Sequence, residues 1–245
     1  MMKIAVIIPA LNPSKHLISY THNLLDEGVA QIIIVNDGSS EEFTSTFKDL
    51  ESLSRCTVLS HDVNCGKGRA LKTGFTYFLR HFNNLCGVIT ADADGQHAVE
   101  DVCAMAKTLE TNPKDILLGV RDFSQSHVPK KSLMGNRMTS FAFKILFRYK
   151  IEDTQTGLRG IPASELSWIM KLKGERYEYE VNMLISAIKR KIPLREIQIQ
   201  TLYFDNNSGS YYKAVKDSLK IFTRMLSGFF TGHKNGDDLV KSNEE

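Results

Sequence analysis

The stretch IAVIIPALN at residues 4–12 decides the fold. Its first five residues are all apolar, and a continuous apolar run of this kind is typical of a strand that is buried on both faces. After the run come Pro9, Ala10 and Asn12, where the chain leaves the predicted strand. Strands buried on both faces occur in parallel sheets that carry helices above and below, so this stretch predicts the α/β class.

The same succession of an apolar run and a polar cluster recurs along the first half of the chain. Further apolar runs predict strands at 32–35, 57–59, 88–90 and 116–120. Amphipathic segments between them predict helices near 15–27, 41–53, 67–82 and 98–110. This alternation predicts a mostly parallel central sheet with helices on both faces.

The second half of the chain has a less regular pattern. It predicts helices near 131–148 and 178–190, a turn at 153–157 and a strand at 194–201. We assign residues 1–211 to one domain, 212–231 to a basic amphipathic helix and 232–245 to a disordered tail. The apolar side chains of this helix either contact a membrane surface or pack on the protein's own core.

The composition argues against several classes of protein. A net charge of +3 in 245 residues, without a basic arm, speaks against a nucleic-acid-binding protein. Four scattered cysteines lack metal-ligand or disulfide-type spacing, which predicts free, mostly buried thiols; they are Cys56, Cys65, Cys86 and Cys103. The short apolar start is neither a signal peptide nor a membrane span, and no other run reaches about 18 apolar residues. We expect a cytoplasmic protein that is soluble or lies on a membrane surface.

Polar clusters follow the five predicted strands of the first half. Parallel sheets bind ligands outside the carboxyl ends of their strands. The clusters should therefore meet at one edge of the sheet; they lie at residues 9–12, 36–39, 62–64, 92–94 and 121–122. One such cluster is explained equally well by a capped turn, but five together predict a ligand site.

The segment DADGQH at residues 92–97 follows the fourth predicted strand. Two carboxylates at positions i and i+2 of a strand-end loop can converge on one divalent cation, and oxygen ligands suit Mg²⁺ or Mn²⁺. A cation in this place would bind a diphosphate. The alternative is a structural turn, since aspartate is common in turns. The preceding strand and the added Gln96 and His97 favour the metal site.

Two further strand ends are candidates for binding a nucleotide. Asp37, in NDGS at residues 36–39, either accepts hydrogen bonds from a base or ribose or forms a turn or helix cap. The segment NCGKGRA at 64–70 places Lys67 at the start of a predicted helix, where a cation and N–H groups suit an anion. It lacks the third glycine of a dinucleotide-binding fingerprint and the spacing of a P-loop. The alternative is a flexible turn with a solvated lysine.

Taken together and in this order, the segments PALN, NDGS, NxGKG and DADGQH resemble glycosyltransferase family 2. They are most similar to its dolichyl-phosphate mannose synthase-like branch, and the resemblance covers residues 3–211. It implies a GT-A fold, a nucleoside-diphosphate-sugar donor, a divalent metal ion and inversion at the anomeric carbon. It also implies a polyprenyl-phosphate acceptor, and with it a cell-envelope function and peripheral contact with the membrane.

The resemblance implies roles for single residues on the donor side. Contacts with the nucleotide sugar fall on Pro9, Ala10, Asn12, Asp37, Asn64, Lys67, Asp92 and Arg159. Metal ligands fall on Asp92, Asp94 and Gln96. Asp94 counts among the catalytic residues as well. The segment at 153–159 matches the part of the family that lines the donor sugar.

On the acceptor side, the resemblance matches Arg121 and Arg137 to arginines that bind the acceptor phosphate. Glu180 resembles a member of an acidic pair on a helix. A lipid phosphate is already ionised and needs only placement and nearby cations. A saccharide hydroxyl, the alternative acceptor in cell-surface polysaccharide synthesis, needs a general base, and Glu180 is the candidate. The other interpretation of Glu180 is an exposed helix carboxylate.

Two departures from the family pattern affect the donor. Asn12 is followed by Pro13, where the family usually has glutamate, and residues 204–211 lack the basic residues of mannose synthases. A UDP-sugar is therefore at least as compatible with the sequence as GDP-mannose. Two rival functions are a nucleotidyltransferase, whose Gly-rich and Arg-containing first loop is missing here, and a non-catalytic protein that binds nucleotide sugars.

Overall fold

The structure of the chain is a computed structural model that describes residues 1–122 and 130–200. The strands are β1 (Ile4–Ala10), β2 (Gln31–Asp37), β3 (Cys56–His61), β4 (Gly87–Thr90), β5 (Ile116–Arg121), β6 (Arg159–Pro162) and β7 (Leu194–Ile199). The helices are α1 (His16–Asp26), α2 (Thr44–Glu51), α3 (Lys67–His81), α4 (Val99–Thr111), α5 (Lys130–Phe147), α6 (Ala163–Ile169) and α7 (Glu178–Lys189).

These strands form one sheet in the order β3-β2-β1-β4-β6-β5-β7. β1 pairs in parallel with β2 and β4, β2 with β3, and β5 with β7. β6 runs antiparallel between β4 and β5. The predicted mostly parallel sheet is confirmed. β6 was not predicted, because the four residues that form it show no continuous apolar run.

Each face of the sheet buries its own hydrophobic cluster. On one face Ile7 and Ile33 pack with Phe75 of α3 and with side chains of α5 and α7. On the other face Ile8 and Ile34 pack with side chains of α1, α2 and α4. Successive residues of a strand point to opposite faces, so the uninterrupted apolar run of β1 supplies both clusters. The predicted helices on both faces are confirmed.

Helix α3 lies directly against β1. A Cβ atom at Gly74 would lie 2.6 Å from Cγ2 of Ile7, so only glycine permits this separation. α3 begins at Lys67, a few residues after β3 ends at His61. Its close packing on the sheet therefore keeps Lys67 near the carboxyl ends of the parallel strands.

Some expectations need correction, and others lie outside the described residues. The predicted helix at 41–53 is a 3₁₀ turn, Glu41–Phe43, followed by α2, and the predicted strand at 194–201 ends at Ile199. All four cysteines are free, as expected, but only Cys103 is buried. The segments 204–211, 212–231 and 232–245 lie outside the described residues, as does the domain boundary at 211. Among the described helices, none is long and apolar enough to cross a bilayer.

We expect Ile7→Ala and Ile8→Ala to destabilise the protein to a similar extent, because each side chain is fully buried in a different cluster. Truncation of a buried isoleucine lowers the free energy of unfolding by about 2–5 kcal/mol. Urea unfolding followed by circular dichroism measures the loss. Val63→Ala, at an exposed side chain, is the control and should change stability by less than about 0.5 kcal/mol. Destabilisation by only one of the two isoleucine variants would contradict a sheet covered on both faces.

Candidate active site

The loops after β1 and β2 are joined through Asn12. Its backbone N–H donates to Oγ of Ser39 at 2.8 Å, and its Oδ1 accepts from the backbone N–H of Ser40 at 3.0 Å. Asn12 has a φ of 48°, a left-handed conformation that asparagine adopts more readily than most residues. Pro9 is half-buried and Ala10 is buried at the end of β1. The predicted nucleotide contacts of β1 and β2 thus share one edge of the sheet.

Asp37, at the end of β2, holds the loop that leads into α3. Its side chain is buried, and its oxygens accept from the backbone N–H groups of Cys65 at 3.0 Å and Gly66 at 2.7 Å. The neighbouring Asn64 is exposed. The loop is close enough to β2 that a Cβ atom at Gly38 would lie 2.3 Å from the backbone carbon of Val63. In this structure the Asp37 carboxylate therefore organises the loop that was predicted to bind the nucleotide.

His61 extends this hydrogen-bonded group. Its Nδ1 lies 2.8 Å from Oδ1 of Asp37, and its Nε2 lies 2.9 Å from Oγ1 of Thr73 on α3. Ligand atoms of Asp37, His61 and Cys65 lie within 4.8 Å of one another, which makes them a possible metal-binding group apart from the predicted one. Because both imidazole nitrogens and the carboxylate already have protein partners, we interpret the group as a support for the loop before α3.

Lys67 lies between two carboxylates. Its Nζ is 2.7 Å from Oδ1 of Asp92 and 3.1 Å from Oε1 of Glu180. Burial by itself lowers the pKa of Lys67, but the two carboxylates raise it by more, so the pKa lies above its ordinary value. The interpretation of Lys67 as a solvated lysine is wrong. Lys67 thus forms ion pairs with Asp92 after β4 and with Glu180 on α7.

Glu180 is buried, so its interpretation as an exposed helix carboxylate is also wrong. Beside it lies Arg159, which is 1% exposed. Nη1 of Arg159 donates to the backbone oxygen of Glu180 at 2.7 Å, and Nε donates to the backbone oxygen of Thr156 at 3.1 Å. Burial lowers the pKa of Arg159 although nearby carboxylates oppose the shift. Arg159 thus supports the site from inside the protein and does not face solvent.

Asp92 is enclosed by three parts of the chain. Besides its pair with Lys67, its Oδ2 lies 3.5 Å from Nε2 of His97. Gly157 packs so closely that a Cβ atom there would lie 2.3 Å from the same oxygen, and Oγ1 of Thr90 donates to the Gly157 carbonyl at 2.8 Å. Desolvation disfavours the charged form of Asp92, but Lys67 and His97 outweigh it and hold the pKa of Asp92 well below its usual range. The carboxylate is therefore ionised at neutral pH.

Asp94 is the more exposed of the two carboxylates of the predicted metal motif. Its Oδ1 accepts from the backbone N–H of Gln96 at 3.0 Å across a turn with Gly95 at a φ of 76°. Desolvation and the negative charge of Asp92 raise the pKa of Asp94. A divalent cation would relieve this repulsion, and the oxygen atoms of Asp92, Asp94 and Gln96 suit Mg²⁺ or Mn²⁺. The residues present therefore fit the predicted metal ion.

Arg121, at the end of β5, forms a two-pronged ion pair with Asp153. Its Nε lies 2.6 Å from Oδ2 and its Nη2 lies 3.0 Å from Oδ1 of the aspartate, which is fully buried. The pair attaches the segment 153–157 to the carboxyl edge of the sheet. The predicted phosphate-binding arginine thus has a structural partner in this structure.

Arg137 is exposed on α5, and its neighbour Asn136 fastens that helix to the same segment. Oδ1 of Asn136 accepts from the backbone N–H of Thr154 at 3.0 Å, and Nδ2 donates to the backbone oxygen of Glu152 at 2.6 Å. The segment 153–157 therefore contacts Arg121, the helix of Arg137 and Asp92.

Two residues of the site, His61 and Asn136, were given no role from the sequence, whereas Gly157 lies in the segment 153–159 that the resemblance assigned to the donor sugar. His61 stands opposite Asp37 in the register of β2 and β3, so the strand-end rule that selected Asp37 also applies to it. Asn136 acts through hydrogen bonds to a segment distant in the chain, for which its local sequence holds no signal. The motif around Gly157 indicated its segment but not its close contact with Asp92.

The chain is similar to known sugar-transferring enzymes. A relative from Methanococcus voltae, a UDP-N-acetylglucosamine–dolichyl-phosphate N-acetylglucosaminyltransferase, is 31% identical over 91% of this chain and 94% of its own. A dolichyl-phosphate beta-glucosyltransferase of Dictyostelium discoideum is 26% identical over 93% of this chain and 76% of its own.

A solved structure with the same fold is glucosyl-3-phosphoglycerate synthase from Mycobacterium tuberculosis, in complex with Mn²⁺, uridine diphosphate and phosphoglyceric acid. It superposes with a TM-score of 0.69 at 16% identity and covers 93% of this chain and 78% of that one. At this identity the similarity shows the fold alone, and it confirms the predicted GT-A fold.

The model of the family described as glycosyl transferase family 2 matches residues 5–167, which is more than half of the chain. This match and the M. voltae relative agree with the family resemblance of the four motifs. The chain is a glycosyltransferase that belongs to glycosyl transferase family 2.

Proposed function

We propose that this enzyme transfers a sugar, with inversion, from a nucleoside-diphosphate sugar to a polyprenyl phosphate. The observation that carries the proposal is the position of the segment 153–157. Gly157 packs on Asp92, while the start of the segment holds Arg121 and the helix of Arg137. The groups proposed for the acceptor phosphate and the carboxylate proposed for the donor are thus attached to one piece of backbone.

The names of the relatives support this choice of substrates. The M. voltae relative is named for UDP-N-acetylglucosamine and dolichyl phosphate, and the D. discoideum relative is named for dolichyl phosphate. We propose the same classes here, a uridine-diphosphate sugar as donor and a long-chain isoprenyl phosphate as acceptor. Neither name contains GDP-mannose, in agreement with the departures of this sequence from mannose synthases.

Donor contacts are proposed along the joined strand ends. The nucleoside would meet Pro9, Ala10, Asn12, Asp37 and Asn64. Lys67 would act at the diphosphate side, where it also keeps Asp92 ionised. Arg159 would contribute indirectly, since it is buried beneath Glu180.

A Mg²⁺ or Mn²⁺ ion is the proposed cofactor, and Asp92, Asp94 and Gln96 would hold it. When bound, such an ion supplies positive charge that stabilises a departing diphosphate. Lys67 and His97 keep the carboxylate of Asp92 ionised, which is the form that ligates a metal. Asp94 must lose its proton to ligate the ion. Because its pKa is raised, we expect the affinity of the site for the ion to fall as the pH is lowered.

The charge of the proposed acceptor determines what the enzyme must do. An ionised phosphate oxygen attacks the anomeric carbon while the bond from that carbon to the diphosphate breaks, so no proton has to be removed. The enzyme must instead hold two anions close together, which requires cations on the acceptor side. Arg137 presents a guanidinium at the surface of α5, and Arg121 adds a second one at the end of β5.

The alternative acceptor, a saccharide hydroxyl, would need a general base. Glu180 is the candidate, but its carboxylate is buried and paired with Lys67. This arrangement favours a positioning role for Glu180 and therefore favours the phosphate acceptor. Because the acceptor lies in a membrane and the donor is water-soluble, we place the reaction at the cytoplasmic face of the membrane.

We expect UDP-N-acetylglucosamine or UDP-glucose to raise the melting temperature in the presence of Mn²⁺ or Mg²⁺, and GDP-mannose to have less effect. Ligand at about 100 times its Kd stabilises a protein by roughly 2.7 kcal/mol, or about 5–10 °C for a chain of this size. Thermal-shift measurements with and without the metal test this. Asp94→Asn should remove the metal-dependent part, whereas Asp49→Asn, on the exposed surface of α2, should not. If no nucleotide sugar stabilises the protein in a metal-dependent way, the donor and metal assignments are wrong.

Arg137→Ala should raise the KM for a short-chain isoprenyl phosphate by about tenfold to a hundredfold, because a charge-assisted hydrogen bond contributes about 1.5–3 kcal/mol. Arg137→Lys should retain part of the effect, and Arg80→Ala, at an exposed arginine of α3, is the matched control. Steady-state kinetics with acceptor varied gives the numbers.

Arg121→Ala should also weaken transfer, but it leaves Asp153 buried without its cation and should reduce stability by about 3–5 kcal/mol. Its kinetics are therefore interpreted only below the measured melting temperature of the variant. Transfer that survives both Arg121→Ala and Arg137→Ala would count against a lipid-phosphate acceptor.

Glu180→Gln should leave kcat for a phosphate acceptor within about tenfold of wild type, since no proton is removed in the proposed step. A loss of roughly 1–3 kcal/mol in stability is expected, because a charged partner of Lys67 is replaced by a neutral amide. Glu178→Gln is the control, because Glu178 is the other acidic residue in the first turn of α7 and completes the acidic pair with Glu180. A fall in kcat of about 10²–10⁴ without a comparable loss for Glu178→Gln would instead indicate a general base and a hydroxyl acceptor.

A further inference from the structure

Helix α5 exposes a row of large apolar side chains. Four of the six exposed large hydrophobic residues in the described part of the chain lie on it, and they are Met134 at 65%, Met138 at 63%, Phe141 at 64% and Ile145 at 58%. Their spacing of four, three and four residues places them on one face of the helix. Such a concentration of exposed apolar surface on one element is typical of an interaction site.

The opposite side of α5 is packed on the protein. Phe143 belongs to the hydrophobic cluster that α3 and α7 share, and Asn136 and Thr139 are buried against the segment that contains Thr154. The helix is therefore docked through one face, and the apolar row lies on the face that these contacts leave uncovered.

The charge of this helix is one-sided. Helix α5 contains four basic residues, Lys130, Lys131, Arg137 and Lys144, and no acidic residue, and Arg148 follows directly after it. Arg137 and Lys144 are exposed and lie seven residues apart, so they form a basic row beside the apolar one. An apolar row flanked by basic residues is the pattern of a helix that lies in the interface of an anionic bilayer.

We propose that this face of α5, from Met134 to Ile145, docks on an anionic lipid bilayer. The inference rests on the proposed function, because it explains how the enzyme meets an acceptor whose phosphate lies at the membrane surface. Arg137 lies next to Met134, Met138 and Phe141 on the helix. Insertion of these three side chains among the lipids brings its guanidinium to the level of the phosphate headgroups.

Charge argues against the other possible occupants of this face. The segment 212–231 carries Lys213, Lys216, Lys220 and Arg224 against the single acidic residue Asp217, so its packing on α5 would bring like charges together. A second copy of the chain docked through the same face would place Arg137 and Lys144 opposite their own equivalents. An anionic membrane is the partner whose charge complements the helix.

The test uses the full-length enzyme in flotation with two kinds of vesicle, one of phosphatidylcholine alone and one containing about 30% phosphatidylglycerol. We expect wild type to float with the anionic vesicles, and to bind less at high salt or with neutral vesicles. The double variant Met138→Gln/Phe141→Gln should bind at least about tenfold more weakly. Val63→Gln, at an exposed apolar residue outside α5, is the matched control and should bind as wild type does.

Equal flotation of wild type and the double variant, or no flotation of wild type, would overturn the inference. So would a wild-type dimer in sedimentation velocity that the double variant dissociates, since that result indicates a second copy. Phe141→Trp, made in a Trp168→Phe background so that it is the chain's one tryptophan, tests for cover by the chain itself. Its indole should be quenched by acrylamide until vesicles are added, and protection of the monomer without vesicles would identify an internal cover and overturn the inference.

Transfer to a short-chain isoprenyl phosphate, dissolved without any bilayer, separates this inference from the proposed function. If wild type floats with anionic vesicles but transfers no sugar to that acceptor, the proposed acceptor is wrong and the docking surface stands. If wild type transfers sugar in solution but fails to float, the docking surface is wrong and the proposed function stands.

Discussion

The ammonium of Lys67, held between the carboxylates of Asp92 and Glu180, is the interaction on which the rest of the site depends. It joins the start of α3, the end of β4 and the start of α7, which are far apart in the sequence. Moving these charges out of water is costly, and their attraction offsets that cost only while every partner is in place. The partly buried pairs therefore favour one arrangement of the three elements and penalise others.

The reversed direction of β6 explains how a second group of residues reaches the same edge. Parallel strands contribute the residues that follow them, as β4 contributes Asp92. β6 is antiparallel, and its first residue, Arg159, pairs with Thr90 at the end of β4. It therefore contributes the residues that precede it, which include the segment 153–157. This segment contacts Asp92, Arg121 and helix α5, which carries Arg137. One short antiparallel strand thus brings together the groups proposed to bind the donor and the acceptor.

Local patterns in the sequence predict the frame of this molecule but not its long-range partners. The apolar run of β1 predicts a sheet covered on both faces, and the polar strand ends predict that Asp37 and Asp92 lie at the same edge of that sheet. The pair between Lys67 and Glu180 spans more than a hundred residues, and nothing in either neighbourhood indicates the other. A lone arginine after a turn would be expected to face solvent. Arg159 is buried instead, because α7 and β6 pack around it, and the local sequence does not indicate that packing.

Because residue 157 is a glycine, the surface that packs against Asp92 at this point is backbone and not a side chain. That surface is held by the hydroxyl of Thr90 and has no rotamers to lose. The ordering of this part of the pocket is completed during folding, so little conformational entropy remains to be lost when a ligand arrives. The proposed donor site is in this sense preorganised at Asp92, where its boundary is a rigid backbone surface and not an adaptable side chain.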